Sequence, residues 1–80
     1  MKFHVGQTLV AIADFSLFNI HEASEGQTLP TNDVLSGEVL LVTDFRNESP
    51  GDQVTLLSSG GQLGWRHTWV LQRWVQEVGQ

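Results

Sequence analysis

The stretch LGWRHTWVLQRWV, residues 63–75, holds all three tryptophans, two of the four basic side chains and one of the three histidines. Its first five residues, LGWRH, have the length and ring content of a strand. Strand alternation places Leu63, Trp65 and His67 on one face and Gly64 and Arg66 on the other. TWVLQ then predicts one helical turn and RWVQEV a final strand. Three indoles within ten residues crowd a thin core, because a chain of this size buries only about 60% of its unfolded surface. Tryptophan is also rarely buried completely. The expectation is two packed rings and one exposed, with Trp69 at the start of the turn the exposed one.

SSGGQ before this stretch reads as a hairpin loop, with two glycines able to take positive φ. VTLL (54–57) is a short strand. RNESPGDQ is a turn cluster with Pro50-Gly51-Asp52 at its tip. VLSGEVLLVTDF (34–45) reads as the strongest strand, with Val39, Leu41, Thr43 and Phe45 on one side and Leu40, Val42 and Asp44 on the other. QTLVAIADF (7–15) reads as the first strand, with Val10 and Ile12 on one face and Leu9, Ala11 and Ala13 on the opposite one. Between them, Phe15, Leu17, Phe18 and Ile20 are too apolar for a solvated loop, whereas HEASEGQ is polar and turn-like. The expected core is Val10, Ile12, Val39, Leu41, Val54 and Leu56, joined by one or more of Val70, Leu71 and Val75. Phe15 and Phe18 are expected to plug one end of it.

Composition narrows the class. Eighty residues make one domain, spanning 1–80. There is no cysteine, so neither a disulfide nor a thiolate metal site is available. Low charge and eight glycines favour a compact β domain. Five to six short strands in so short a chain suggest an all-β, strongly bent barrel with one short 3₁₀ turn, which leaves little free sheet edge. The start, MKFHVGQ, has no apolar run behind its lysine, and no membrane-length apolar stretch follows. A cytoplasmic protein without a membrane segment is expected.

The formal net charge is −5, and its distribution is uneven. Residues 14–52 carry eight acids (Asp14, Glu22, Glu25, Asp33, Glu38, Asp44, Glu48, Asp52) against Arg46 alone, a local charge of −7. Phosphate backbones are held by several clustered Lys or Arg side chains, so this middle argues against nucleic acid.

The element order and several motifs resemble the SH3-like barrel family. LVAIADF stands where that family has its first strand and "ALYDY" stretch. LPTNDVL resembles the segment "L-x-x-x-G-D-x-L", and GWRHTWVLQRWV resembles the closing "G-x-x-P-S-N-Y-V". The resemblance runs from about Gly6 to Val78 and bears on fold more than on function. Peptide-binding SH3 domains line a proline-recognition groove with tyrosines and a tryptophan pair. This chain has no tyrosine, places Ala11 and Ala13 where the groove aromatics stand, and has no Trp pair after VLLVTDF. These departures argue against binding of proline-rich peptides. FHVGQTLVAI, LPTNDVLSGEVLLV and GWRHTWVLQRW are more similar to small uncharacterised SH3-like proteins of phages and bacteria. That resemblance implies an accessory or inhibitory module acting on a cellular machine, with no assigned chemistry.

No catalytic constellation stands out. The serines lack the context of an activated nucleophile. GGQLG precedes a strand, not the helix N-terminus a phosphate cradle needs. His4, His21 and His67 show no metal-ligand spacing. The chain is therefore expected to be non-enzymatic and cofactor-free, a protein-binding module that is monomeric or weakly homodimeric. Two surfaces are candidates for the partner. One is the aromatic segment Trp65, Trp69 and Trp74 flanked by Arg66 and Arg73, because Trp and Arg are enriched at interface hot spots. The other is an acidic surface with Glu22, Glu25, Asp44 and Glu48. The alternative class is a small nucleic-acid-binding β-barrel, in which the same rings would stack on bases.

Overall fold

The structure, a computed structural model, describes residues 1–20, 30–47 and 51–78. These contain β1 (Thr8–Ala11), β2 (Phe15–Leu17), β3 (Asn32–Val34), β4 (Val39–Arg46), β5 (Gln53–Ser58), β6 (Leu63–His67), the helical turn α1 (Thr68–Leu71) and β7 (Val75–Glu77). The protein is all-β, and its strand pairs are antiparallel. Five strands form one sheet in the order β6-β5-β4-β1-β7, while β2 and β3 pair with each other. One bridge links the two sheets, with the N–H groups of Phe18 and Trp65 each donating to the other's carbonyl at 3.0 Å. Among the described residues the two sheets meet through that bridge, not through a continuous ladder.

Glycine makes this approach feasible. A Cβ at Gly64 would collide with the Phe18 carbonyl and lie 2.6 Å from the Leu17 Cβ. Without one, the backbone after β2 can lie directly against β6. The expected SSGGQ hairpin is present, and Gly61 takes φ 91° there, a conformation that disfavours any Cβ.

The interior combines Leu9, Ala11, Leu40, Val42, Val54, Leu56 and Val75 of the main sheet with Phe15, Leu17 and Val34 of the smaller one, and Leu71 from α1. Val54, Leu56, Leu71 and Val75 are buried as the sequence predicts. The faces of β1 and β4 are opposite to expectation. Val39 and Leu41 are 44% and 42% exposed, Ile12 is 51% exposed and Val10 is half-buried, whereas Leu9, Ala11, Leu40 and Val42 are sealed. A bulge explains much of this on β4. Its register against β5 shifts between Val42 and Asp44, so Thr43 is an extra residue and alternation changes phase there. Phe45 therefore packs against the core together with Leu40 and Val42. An unbroken alternation would instead group it with Val39 and Leu41.

Two expected strands are also shorter. The first ends at Ala11, and the chain bends through residues 12–14 before β2 begins at Phe15. The bend is held by the Ile12 N–H donating to the Trp74 carbonyl at 2.7 Å and by the Ser36 N–H donating to the Asp14 carboxylate at 2.7 Å. The stretch 34–45 is divided by a turn at Leu35–Glu38. The Glu38 N–H donates to the Leu35 carbonyl at 3.1 Å, and the Leu35 N–H donates back to the Glu38 carboxylate at 3.1 Å. The turn after β6 is α rather than 3₁₀ at its start, with the Gln72 N–H donating to the Thr68 carbonyl at 3.1 Å. The next two bonds, Arg73 to Val70 and Trp74 to Leu71, span three residues and tighten its end. No helix among the described residues is long and apolar enough to cross a membrane.

The reversed face gives a direct test. Leu40→Ala is expected to destabilise by about 2–5 kcal/mol through lost burial and a cavity, and Leu41→Ala by under about 1 kcal/mol. Urea denaturation of the two variants checks this; a larger loss for Leu41→Ala would restore the opposite orientation.

Candidate functional site

The tryptophan segment divides its side chains between two sides of the sheet. Arg66 lies opposite the buried Val54 in the β5–β6 register, so it points to the inner side. There its guanidinium stands 5.2 Å from the Phe18 ring centroid and 5.0 Å from that of Trp74. Its Nη1 donates to the Ser16 carbonyl at 2.7 Å. Trp74 in turn stacks on Phe15, with centroids 5.2 Å apart. Burial lowers the pKa of Arg66 below the ordinary arginine value, but a guanidinium keeps its proton in proteins. Its partners among the described residues are rings and a carbonyl, and its Nε is buried without a hydrogen-bond partner.

Trp65, His67 and Trp69 form a second series of rings. Trp65 stacks on Phe18 at 4.7 Å, His67 meets the edge of Trp65 at 5.2 Å, and His67 stacks on Trp69 at 6.3 Å. Trp65 is buried by these contacts and Trp74 is half-buried, while Trp69 is 57% exposed. One ring of the three is thus presented to solvent, and it is the one the sequence singles out. Phe15 and Phe18 are each one half of a stacked pair with a tryptophan, and Phe15 is buried in the core. The Nε1 of Trp65 and the Nδ1 of His67 are buried without hydrogen-bond partners among the described residues, so stacking is what positions these rings.

Trp69 borders a cleft of about 510 Å³, shared with Lys2, Phe3, Phe45, Asp52 and Gln72. Four chain segments build it: residues 1–3, the end of β4, the entry of β5 and residues 68–72. After the bulge on β4, Phe45 both packs against the core and lines the cleft, and the Thr68 N–H donates to the Asp52 carbonyl at 3.0 Å, which ties the start of α1 to the entry of β5. Gly51 fits against the indole: a Cβ there would stand 3.2 Å from Trp69 Cδ1 and Nε1. The cleft is lined about equally by apolar side chains (Met1, Phe3, Phe45, Trp69) and polar ones (Lys2, Asp52, Thr68, Gln72).

The sequence-predicted residues are therefore not one site. Trp65 and Trp69 are linked through His67, but Trp74 and Arg66 belong to the inner cluster. Arg66 does not flank an exposed ring as expected, because strand alternation turns it inward. Arg73 is exposed. Of the acidic candidates, Glu22, Glu25 and Glu48 lie outside the described residues. Asp44 is occupied locally: its carboxylate accepts from the Phe45 N–H at 3.0 Å and pairs with the exposed Arg46 at 3.4 Å, a contact worth little in solvent. No three His, Asp or Glu side chains converge as metal ligands among the described residues.

Sequence reasoning missed Phe3, Phe45 and Asp52, which are distant in the chain and meet only in the fold. It also missed an aliphatic row on the outer side of the main sheet. Leu41, Leu57 and Leu63 lie opposite one another across β4, β5 and β6, and all three are exposed. The signal for both was the phase of β4. Compared with family models, curated proteins and solved structures, the chain matches none.

Variants that retain a single tryptophan, with the others replaced by Phe, test the division of rings. Acrylamide is expected to quench the Trp69-only protein several times more strongly than the Trp65-only protein. Equal quenching would contradict the exposed position of Trp69.

Proposed function

We propose that this chain is a non-enzymatic protein-binding module with an SH3-like arrangement, which engages its partner through the cleft bordered by Trp69. The observation that carries the reading is the half-exposed Trp69 indole at the edge of a cleft that also contains Phe3 and Phe45. A tryptophan beside a pocket gives a partner a large, rigid contact that loses little conformational entropy on binding. The SH3-like part of the proposal draws on the order of elements: a first strand, a long excursion through β2 and β3, two further hairpins, a helical turn and a closing strand. The resemblance to small phage and bacterial SH3-like proteins supports an accessory or inhibitory role on a component of a cellular machine.

The net charge of −5 favours a basic partner surface and disfavours nucleic acid. Charge of this kind acts mainly on the association rate, which falls as salt screens it over about 8 Å.

The test starts with affinity capture from a bacterial lysate and identification of the captured protein. Calorimetry with that purified protein then compares wild type with Trp69→Ala. Binding is expected to weaken at least tenfold in the variant, with its fold unchanged by circular dichroism. Unaltered affinity would remove the cleft from the interface. Submicromolar, salt-sensitive binding to oligonucleotides would replace the reading with the nucleic-acid alternative.

A further inference from the structure

We infer that the outer face of the main sheet is a self-association surface, on which a second copy of this chain packs sheet against sheet. It is separate from the Trp69 cleft, and its residues are not among those that line the cleft.

The strand register defines the face. Thr8, Leu41, Leu57 and Leu63 lie in one row across β1, β4, β5 and β6. In the next row Val10 lies between Gln76 of β7 and Val39 of β4. Their chain neighbours Leu9, Leu40 and Leu56 are sealed in the core, so alternation turns these rows outward. All seven residues except the half-buried Val10 are exposed. None of the seven carries a charge, although the chain has a net charge of −5. An antiparallel sheet with one solvated face normally alternates apolar inside with polar outside. Here residues 39–42 are apolar at every position, and Leu56 and Leu57 repeat this on β5. Such runs belong to strands that are covered on both sides, yet the core covers only one side of these.

Charge selects the occupant. A basic partner, which the acidic chain attracts elsewhere, finds no carboxylate among these seven side chains. A second copy presents the same aliphatic rows, so the paired faces carry no charged group that must lose its hydration. Packed sheets stand about 10 Å apart with strand directions within about 30°, and a two-fold axis through the face brings each patch against its own counterpart. Area sets the strength. Five strands about 4.8 Å apart and two rows about 7 Å apart make a face on the order of 300–400 Å². Two such faces fall short of the roughly 1,200 Å² of total burial typical of stable interfaces. The dimer is therefore weak, forms as concentration rises, and leaves the Trp69 cleft of each copy free.

Sedimentation equilibrium on the whole chain, from about 10 µM to about 1 mM, tests this over the range that a small interface reaches. A reversible monomer–dimer equilibrium is expected. Raising the salt is expected to tighten it at least twofold, because salt screens the repulsion between two acidic copies; association with a basic partner has the opposite salt dependence. Leu57→Glu is expected to weaken the dimer at least tenfold. Leu35→Glu makes the same change at an exposed leucine in the turn before β4, and is expected to weaken it less than threefold. Circular dichroism reports whether both variants are folded. Dilution of the ¹⁵N-labelled wild type needs no substitution, and its amide shifts are expected to concentrate at Val39, Leu41, Leu57 and Leu63. A monomer at every concentration would overturn the inference, as would equal weakening by the two variants. Shifts confined to the free edge of β7 or to the surroundings of Trp69 would also overturn it, by placing the contact elsewhere.

Discussion

Arg66 holds its guanidinium against the Phe18 and Trp74 rings and donates to the Ser16 carbonyl. Those three residues come from β2, from the residue just after it and from the segment leading into β7. One side chain of β6 thus joins the end of β2, about fifty residues earlier in the chain, to the segment leading into β7. A charged group in a half-buried place normally loses hydration without full return. Here each ring contact contributes about 0.5–2 kcal/mol, and the bond from a charged donor about 1.5–3 kcal/mol. In a chain with a thin core and no disulfide, those contributions are a large part of the stability margin.

The same residue determines where the candidate site lies. Because Arg66 points inward, its neighbours Trp65 and His67 point outward. His67 then supports Trp69 at the start of α1, and the short helical turn carries that ring to the edge of the cleft. Gly64 permits the close approach of the β2 end that brings Phe18 within reach of both Trp65 and Arg66. The clamp and the Trp65–His67 rings are in this sense two sides of one strand.

Much of the fold was legible in the sequence where turns are short and marked by glycine. The hairpin falls where SSGGQ predicts it, and strand β6, the helical turn and β7 where LGWRH, TWVLQ and RWVQEV do. The orientation of β4 was not legible, for a definite reason. Val39, Leu40, Leu41 and Val42 are all apolar, so alternation gives no contrast between the faces, and the Thr43 bulge reverses the one cue that Phe45 supplies. β1 has the same ambiguity in Leu9, Val10, Ala11 and Ile12. Within the site, the exposed Trp69 could be anticipated from the crowding of three indoles and its position at the start of the turn. The cleft could not, since Phe3, Phe45 and Asp52 converge only after the bulge has set the direction of Phe45. Arg66 was legible as facing away from Trp65, but its charge suggested solvent, whereas rings and a carbonyl receive it in the fold.

The dependence of the fold on this clamp is tested most directly by hydrogen exchange on Arg66→Met, which keeps an unbranched stem and removes the charge and donors. Amide protection at Phe18 and Trp65, the bridge between the two sheets, is compared with protection within the β4–β5 ladder. If Arg66 holds β2 to the main sheet, protection at Phe18 and Trp65 falls at least tenfold while the β4–β5 amides change less. Unchanged protection at Phe18 and Trp65 in the variant would contradict the account.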